Sequence, residues 1–121
     1  MEIEHGSGWV RLGLSGDIDA RWSDENGPEI RAVFEGRPRE IVVEVDSVTF
    51  MDSSGLGFLA RCVKECQSHE GTVYLVGSNS IIRSLVDMVG LNQLLTIVDT
   101  PNEKRDLYQR LGQISPDPSI S

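Results

Sequence analysis

Apolar and polar positions alternate with two different periods along this chain, and the period switches repeatedly. Glu2 to His5 is a short candidate strand, followed by a Gly6-Ser7-Gly8 turn. Val10, Leu12 and Leu14 then fall on one face of a segment running from Trp9 to Leu14. That period of two predicts a half-buried strand pairing with the first as a hairpin. Ser15 to Asp19 reads as a loop. Ile30, Val33 and Phe34 have helical spacing, but Gly27-Pro28 interrupts any helix begun near Ser23. Proline is at home in a first turn and disfavours helical geometry just before it, so the expected helix runs from about Pro28 to Glu35.

After the connector Arg37-Pro38-Arg39, Glu40 to Val45 holds the β-branched run of a buried parallel strand. Asp52-Ser53-Ser54-Gly55 then opens a helix reaching about Ser68, and Thr72 to Val76 is another buried strand. Asn79 caps a helix with Ile82, Leu85, Val86 and Val89 at i, i+3, i+4 and i+7, closed by Gly90. Leu94 to Val98 is a last strand. Thr100-Pro101-Asn102-Glu103 forms a capping box for a final helix to about Leu111. Residues 113–121, with two prolines and three serines, read as a disordered tail. The expectation is one domain over 1–112: an α/β fold with a mixed, mostly parallel sheet and crossover helices packed mainly on one side.

Composition narrows the function classes. At 121 residues and 39% apolar content, the chain suits one core. A net charge of −8 without a Lys/Arg cluster disfavours direct nucleic-acid binding. No apolar run approaches the roughly 20 residues of a membrane span, and the acidic start Met1-Glu2-Ile3-Glu4-His5 is unlike a secretory signal. A cytoplasmic protein without membrane insertion is expected. Cys62 and Cys66 lack nearby partner ligands, which favours a core role for Cys66 and an edge position for Cys62 over a metal or redox site.

Phe50-Met51-Asp52-Ser53-Ser54-Gly55-Leu56-Gly57 carries the chemistry. Asp and Ser make good helix caps, so these residues suit a purely structural helix start. The same start is a favourable place for a phosphate, because free amides and the helix dipole stabilise its charge. Along the helix, Leu56, Leu59, Ala60, Val63 and Cys66 mark the expected buried stripe. Phe58 falls almost opposite, near Ser54, Arg61 and Glu65, either as an exposed partner contact or under a neighbouring loop. Ser53 lacks the glycine two residues before it that a nucleophile elbow requires, and His69 falls near the far end of the helix, roughly 20 Å away. Neither a phosphate-binding loop motif nor a dinucleotide fingerprint occurs, so no catalytic residue, cofactor or metal is expected.

The segment from Met51 to Gly57, following a β-branched strand, resembles the STAS family, shared by sulfate transporters and bacterial anti-sigma factor antagonists. Leu14-Ser15-Gly16-Asp17-Ile18-Asp19 is similar to that family's Gly-Glu-Leu-Asp strand end. Leu85-Val86-Asp87-Met88-Val89-Gly90-Leu91 is similar to its Leu-Phe-Asp-Met-Ser-Gly-Leu helix end. The resemblance spans about Trp9 to Leu111 and implies a partner-switching role in transcription regulation such as a stress response. The unmodified protein would bind an anti-sigma factor that is also a serine kinase, freeing a sigma factor. Phosphorylation of Ser53, with Ser54 as the adjacent alternative, would weaken the complex, and a PP2C-type phosphatase would reset it. Asp19, Asp52, Ser53, Ser54, Gly55, Phe58 and Arg61 would form the partner surface, the two aspartates shaping kinase access. The alternatives are a non-phosphorylated accessory subunit of a transporter or a signalling scaffold, and, from another class, an anion-binding enzyme. Asn26-Gly27-Pro28 departs from the family's continuous first helix.

Overall fold

The computed structural model describes residues 1–112; the expected tail, 113–121, lies outside the described residues. Five strands, β1 (Glu2–His5), β2 (Trp9–Ile18), β3 (Glu40–Met51), β4 (Thr72–Val76) and β5 (Thr96–Val98), form one sheet in sequence order. β1 is antiparallel to β2, and the other pairings are parallel. The crossovers are α1 (Ala20–Glu35), α2 (Ser53–Gln67) and α3 (Ser80–Met88) with a short 3-10 turn at Leu91–Gln93; α4 (Pro101–Leu111) follows the last strand.

Strand order explains the helix layout. Each crossover moves one strand further in the same direction, and right-handed connections then put α1, α2 and α3 on one face. The main core lies there, between the sheet and residues such as Trp22, Ile30, Phe58, Leu59, Ile82 and Val86. Among the described residues the second face has only α4, whose Leu107 and Tyr108 join Trp9, Val42, Val76 and Val98. Tyr108 donates its hydroxyl hydrogen to Glu44, which also accepts from Arg11 at 2.7 Å. Arg110 reaches Glu40 at 3.0 Å and the Tyr74 oxygen at 2.6 Å. The α/β class, the mostly parallel sheet and the one-sided helix layer thus agree with the sequence pattern.

Several boundaries differ. β2 runs on through Ser15–Ile18, where a loop was expected, and β3 runs on through Asp46–Met51, beyond the strand end expected at Val45. Period-two reasoning fails because β3 twice spends one residue more than β2: the register passes from Gly13↔Glu44 to Ser15↔Ser47, and from Gly16↔Val48 to Asp17↔Phe50. Such bulges change which face a residue presents. Val45, Val48 and Met51 are therefore buried, with two exposed residues between each. Gly16 sits between the two shifts with a φ of +75°, a conformation suited to glycine. β5 is also shorter than expected, and Val89 is exposed rather than part of the buried stripe.

α1 begins at Ala20, eight residues before Pro28, and passes straight through the proline. Pro28 removes one amide that a regular helix would use. The helix is held on both sides of it, by the Asp19 cap and Trp22 before and by Ile30, Val33 and Phe34 after. The Asn26 side-chain amide also donates to the Trp22 carbonyl at 2.9 Å. Asn26-Gly27-Pro28 is thus a weak point inside a continuous helix, not its boundary.

Two outcomes follow from this packing. Pro28 is exposed and costs the helix interior an amide, so Pro28→Ala should raise stability, by up to about 3 kcal/mol in urea titration. Burial pushes the Cys66 thiol from its ordinary 9.0 up to about 11, and Tyr108 is raised by burial and then by Glu44. Both groups keep their protons longer when folded, so stability is full below pH 9 and falls as pH rises towards 11. Cys66→Ala should flatten part of that decline.

Candidate functional site at two adjoining helix starts

The last residues of β2 and β3 are paired, Ile18 with Met51, and each strand leads directly into a capped helix. Adjacent strands lie roughly 4.8 Å apart, so the starts of α1 and α2 stand side by side. The Asp52 amide donates to the Ile18 carbonyl at 3.3 Å and ties the two exits together. Asp19 caps α1, its carboxylate accepting from the Trp22 amide at 3.0 Å. Asp52 caps α2 in the same manner, accepting from the Ser54 amide at 2.8 Å. Both caps have extended backbone and satisfy first-turn donors that would otherwise be unpaired.

Ser53 is the first residue of α2 and is exposed; Ser54 and Asp52 are half-buried beside it. The hydroxyl of Ser53 is therefore open to solvent at the positive end of a 15-residue helix. Asp17, also exposed, accepts from the Thr49 hydroxyl at 3.1 Å on the neighbouring strand ends. Phe50 stands between this pair and Asp52 in the chain and is 52% exposed. Asp17 and Thr49 were not among the expected site residues, because Ser15 to Asp19 was read as a loop and β3 as ending at Val45, so their pairing was not visible. The three-residue spacing of Val45, Val48 and Met51 was the available signal.

The other expected site residues take different roles. Gly55 is buried where α2 meets the sheet: an added Cβ would come 2.4 Å from Met51 Cγ and 3.1 Å from the Ile18 carbonyl oxygen. It sets how closely the helix start approaches the strands. Phe58 is not a surface contact. It is only 2% exposed and meets Trp22 of α1 edge to face, with centroids 5.1 Å apart and planes at 73°. The reason is that α2 is covered by α1 as well as by the sheet, so its buried face is wider than one stripe. That face comprises Gly55, Phe58, Leu59, Cys62, Val63 and Cys66. Cys62 is therefore inside rather than at an edge, whereas Leu56 is half-buried and Ala60 exposed. Arg61 lies two turns along, its guanidinium 5.4 Å from the Phe34 ring centroid, and strengthens the α1–α2 seam.

Neither histidine approaches Ser53. His69 lies beyond the far end of α2, its Nε2 at 2.6 Å from the Pro38 carbonyl oxygen, and His5 ends β1 beside Val10, at the opposite end of β2 from Ile18. Among the described residues, no group of three or more His, Cys, Asp or Glu side chains is arranged to hold a metal ion, and no helix is long and apolar enough to cross a membrane.

The fold that carries these two helix starts is matched by known proteins. The chain belongs to the STAS domain family, whose pattern matches residues 1–104. It is 32% identical over 100 residues to the anti-sigma F factor antagonist of Paenibacillus polymyxa, covering 82% of this chain and 86% of that one. Its fold is similar to that of the anti-sigma factor antagonist SpoIIAA in its unphosphorylated form, with a TM-score of 0.72, 22% identity and coverage of 93% and 98% of the two chains. The phosphorylated form of SpoIIAA, a Bacillus cell fate determinant, gives 0.69, 21% identity and coverage of 88% and 96%.

The glycine contact yields a direct test. Gly55→Ala must push Met51 aside or lift α2 from the Ile18 carbonyl. Overpacking of this kind costs about 1–3 kcal/mol, to be read from the urea midpoint, and Gly57→Ala, with open space around it, should not reproduce the loss.

Proposed function

We propose that this protein is an anti-sigma factor antagonist whose binding is switched off by phosphorylation of Ser53. The observation that carries the reading is the exposed Ser53 hydroxyl at the first position of α2, between the Asp52 cap and solvent, in a STAS domain. The Paenibacillus relative named as an anti-sigma F factor antagonist supports the partner class. In this reading the unmodified helix start and the neighbouring Asp19 cap lie within the interface with an anti-sigma factor. That factor doubles as the serine kinase and releases its sigma factor on binding.

The switch is electrostatic. Phosphate adds about −1.5 to −2 charges beside Asp52 and close to Asp19, on a protein already at −8. The helix dipole and first-turn amides accommodate that charge within the free protein. Within an interface the same dianion faces desolvation and like-charge repulsion, which cost several kcal/mol. The fold is thereby kept while the complex is lost. A phosphatase of the PP2C type completes the cycle.

Intact-mass and peptide mapping of protein from its native cells, with and without phosphatase treatment, tests this directly. One phosphate, about 80 Da, is expected at Ser53 and not Ser54, and Ser53→Ala should abolish it while melting like the wild type. Ser53→Glu should weaken binding to the cognate anti-sigma factor at least about tenfold, or 1.4 kcal/mol. An unmodified serine under growth, stress and stationary conditions would replace this reading with that of a scaffold or a transporter accessory subunit.

A further inference from the structure

α1 is held very unequally along its length. From Ala20 to Glu29 only Trp22 is buried. Ile30, Val33 and Phe34 fix the second half to the core, and Arg61 closes over the Phe34 ring. The two halves meet at Gly27-Pro28. Pro28 has no amide to give the Asp24 carbonyl four residues before it, and its ring crowds that same carbonyl. Gly27, with open space about it, adds backbone freedom at the same point. The ion pair of Arg21 with Glu25, at 3.9 Å, joins two exposed side chains and contributes little.

What holds the first half converges on Trp22. Its amide donates to the Asp19 carboxylate at 3.0 Å, its carbonyl accepts from the Asn26 side chain at 2.9 Å, and its ring meets Phe58 of α2. The stretch from Ala20 to Gly27 is too short to stay helical in water unaided. Once the Trp22 ring leaves Phe58, the segment is released as a whole, and the proline break keeps that release from spreading into Ile30–Phe34. A unit with so few apolar contacts opens well below the free energy of global unfolding.

The same segment is a wall of the candidate site. Its cap, Asp19, follows Ile18, which pairs with Met51 beside the start of α2. On opening, the Trp22 amide leaves Asp19 and that carboxylate loses its fixed direction, while the Asp52 cap of α2 is untouched. The surface next to Ser53 thus has a closed form with two ordered helix starts and an open form with one. We infer that residues 20–27 are a hinged wall of the Ser53 site, turning on Gly27-Pro28, which the anti-sigma factor holds closed. The partner's part in this rests on the function proposed above. An interface that includes the Asp19 cap exists only in the closed form, so binding shifts the population towards it.

Hydrogen exchange of the full chain, followed by mass spectrometry, reads this out. In the free protein the amides of residues 24–27 should exchange at least about tenfold faster than those of 32–35. Low urea should leave the first rate nearly unchanged while raising the second, because a local opening exposes little surface. Pro28→Ala, which restores the amide, should slow exchange at 24–27 at least about tenfold. Saturation with the purified cognate anti-sigma factor should slow it by at least about as much. Equal rates and equal urea dependence in the two halves overturn the hinge, since α1 then opens only with the whole domain. A complex in which 24–27 exchange as fast as in the free protein overturns the closing role, while the Ser53 switch stands. If the wild type binds no anti-sigma factor, the functional reading fails and the closing role with it, and the free-protein comparison alone decides the hinge.

Discussion

Everything at the functional end of this domain depends on β2 and β3 remaining paired to their final residues. Had pairing stopped at Gly13 and Glu44, the chain ends entering α1 and α2 would be free to diverge. Instead the ladder continues to Ile18 and Met51, and the Asp52 amide closes it on the Ile18 carbonyl. Two aspartates then occupy equivalent positions on adjacent strands, each using its carboxylate as a helix cap. The acidic character beside Ser53 is consequently a by-product of building two helix starts well.

The contacts that hold the two helices together continue the same theme. Trp22 receives the Asp19 cap through its backbone and meets Phe58 through its ring. An edge-to-face pair of this kind contributes about 0.5–1.5 kcal/mol beyond burial. Further along, Arg61 over Phe34 closes the seam on its exposed side. Gly55 completes the arrangement from below by allowing α2 to rest on the strand ends. The start of α2, with Ser53 exposed at its first position, is therefore anchored on the strand side and on the α1 side at once.

The sequence carried the fold class and element order plainly, because apolar periods of two and 3.6 survive wherever strands and helices are regular. It also placed Asp52, Ser53 and the capping roles of Asn79 and Thr100 in their proper settings, since capping chemistry is local. What stayed hidden was non-local. The bulges of β3 convert an alternating pattern into a three-residue one, and only the partner strand reveals that these residues are paired at all. Pro28 is an unfavourable helix residue, yet anchors on both sides override it. Phe58 looked peripheral because a helical wheel knows one buried face, whereas α2 has both a sheet and a helix against it. Whether Ser53 accepts phosphate lies beyond any packing argument, for a capped helix start is equally good structure without it.

The lone helix on the second face has a consequence for how the molecule is made. Trp9, Val42, Val76 and Val98 all emerge from the ribosome before Leu107 and Tyr108. Until α4 packs, the smaller core is open to water, and on β3 its face presents Glu40 and Glu44 on either side of Val42. Those two glutamates, later claimed by Arg110 and Tyr108, keep that strand face charged during synthesis, when it is most exposed to aggregation.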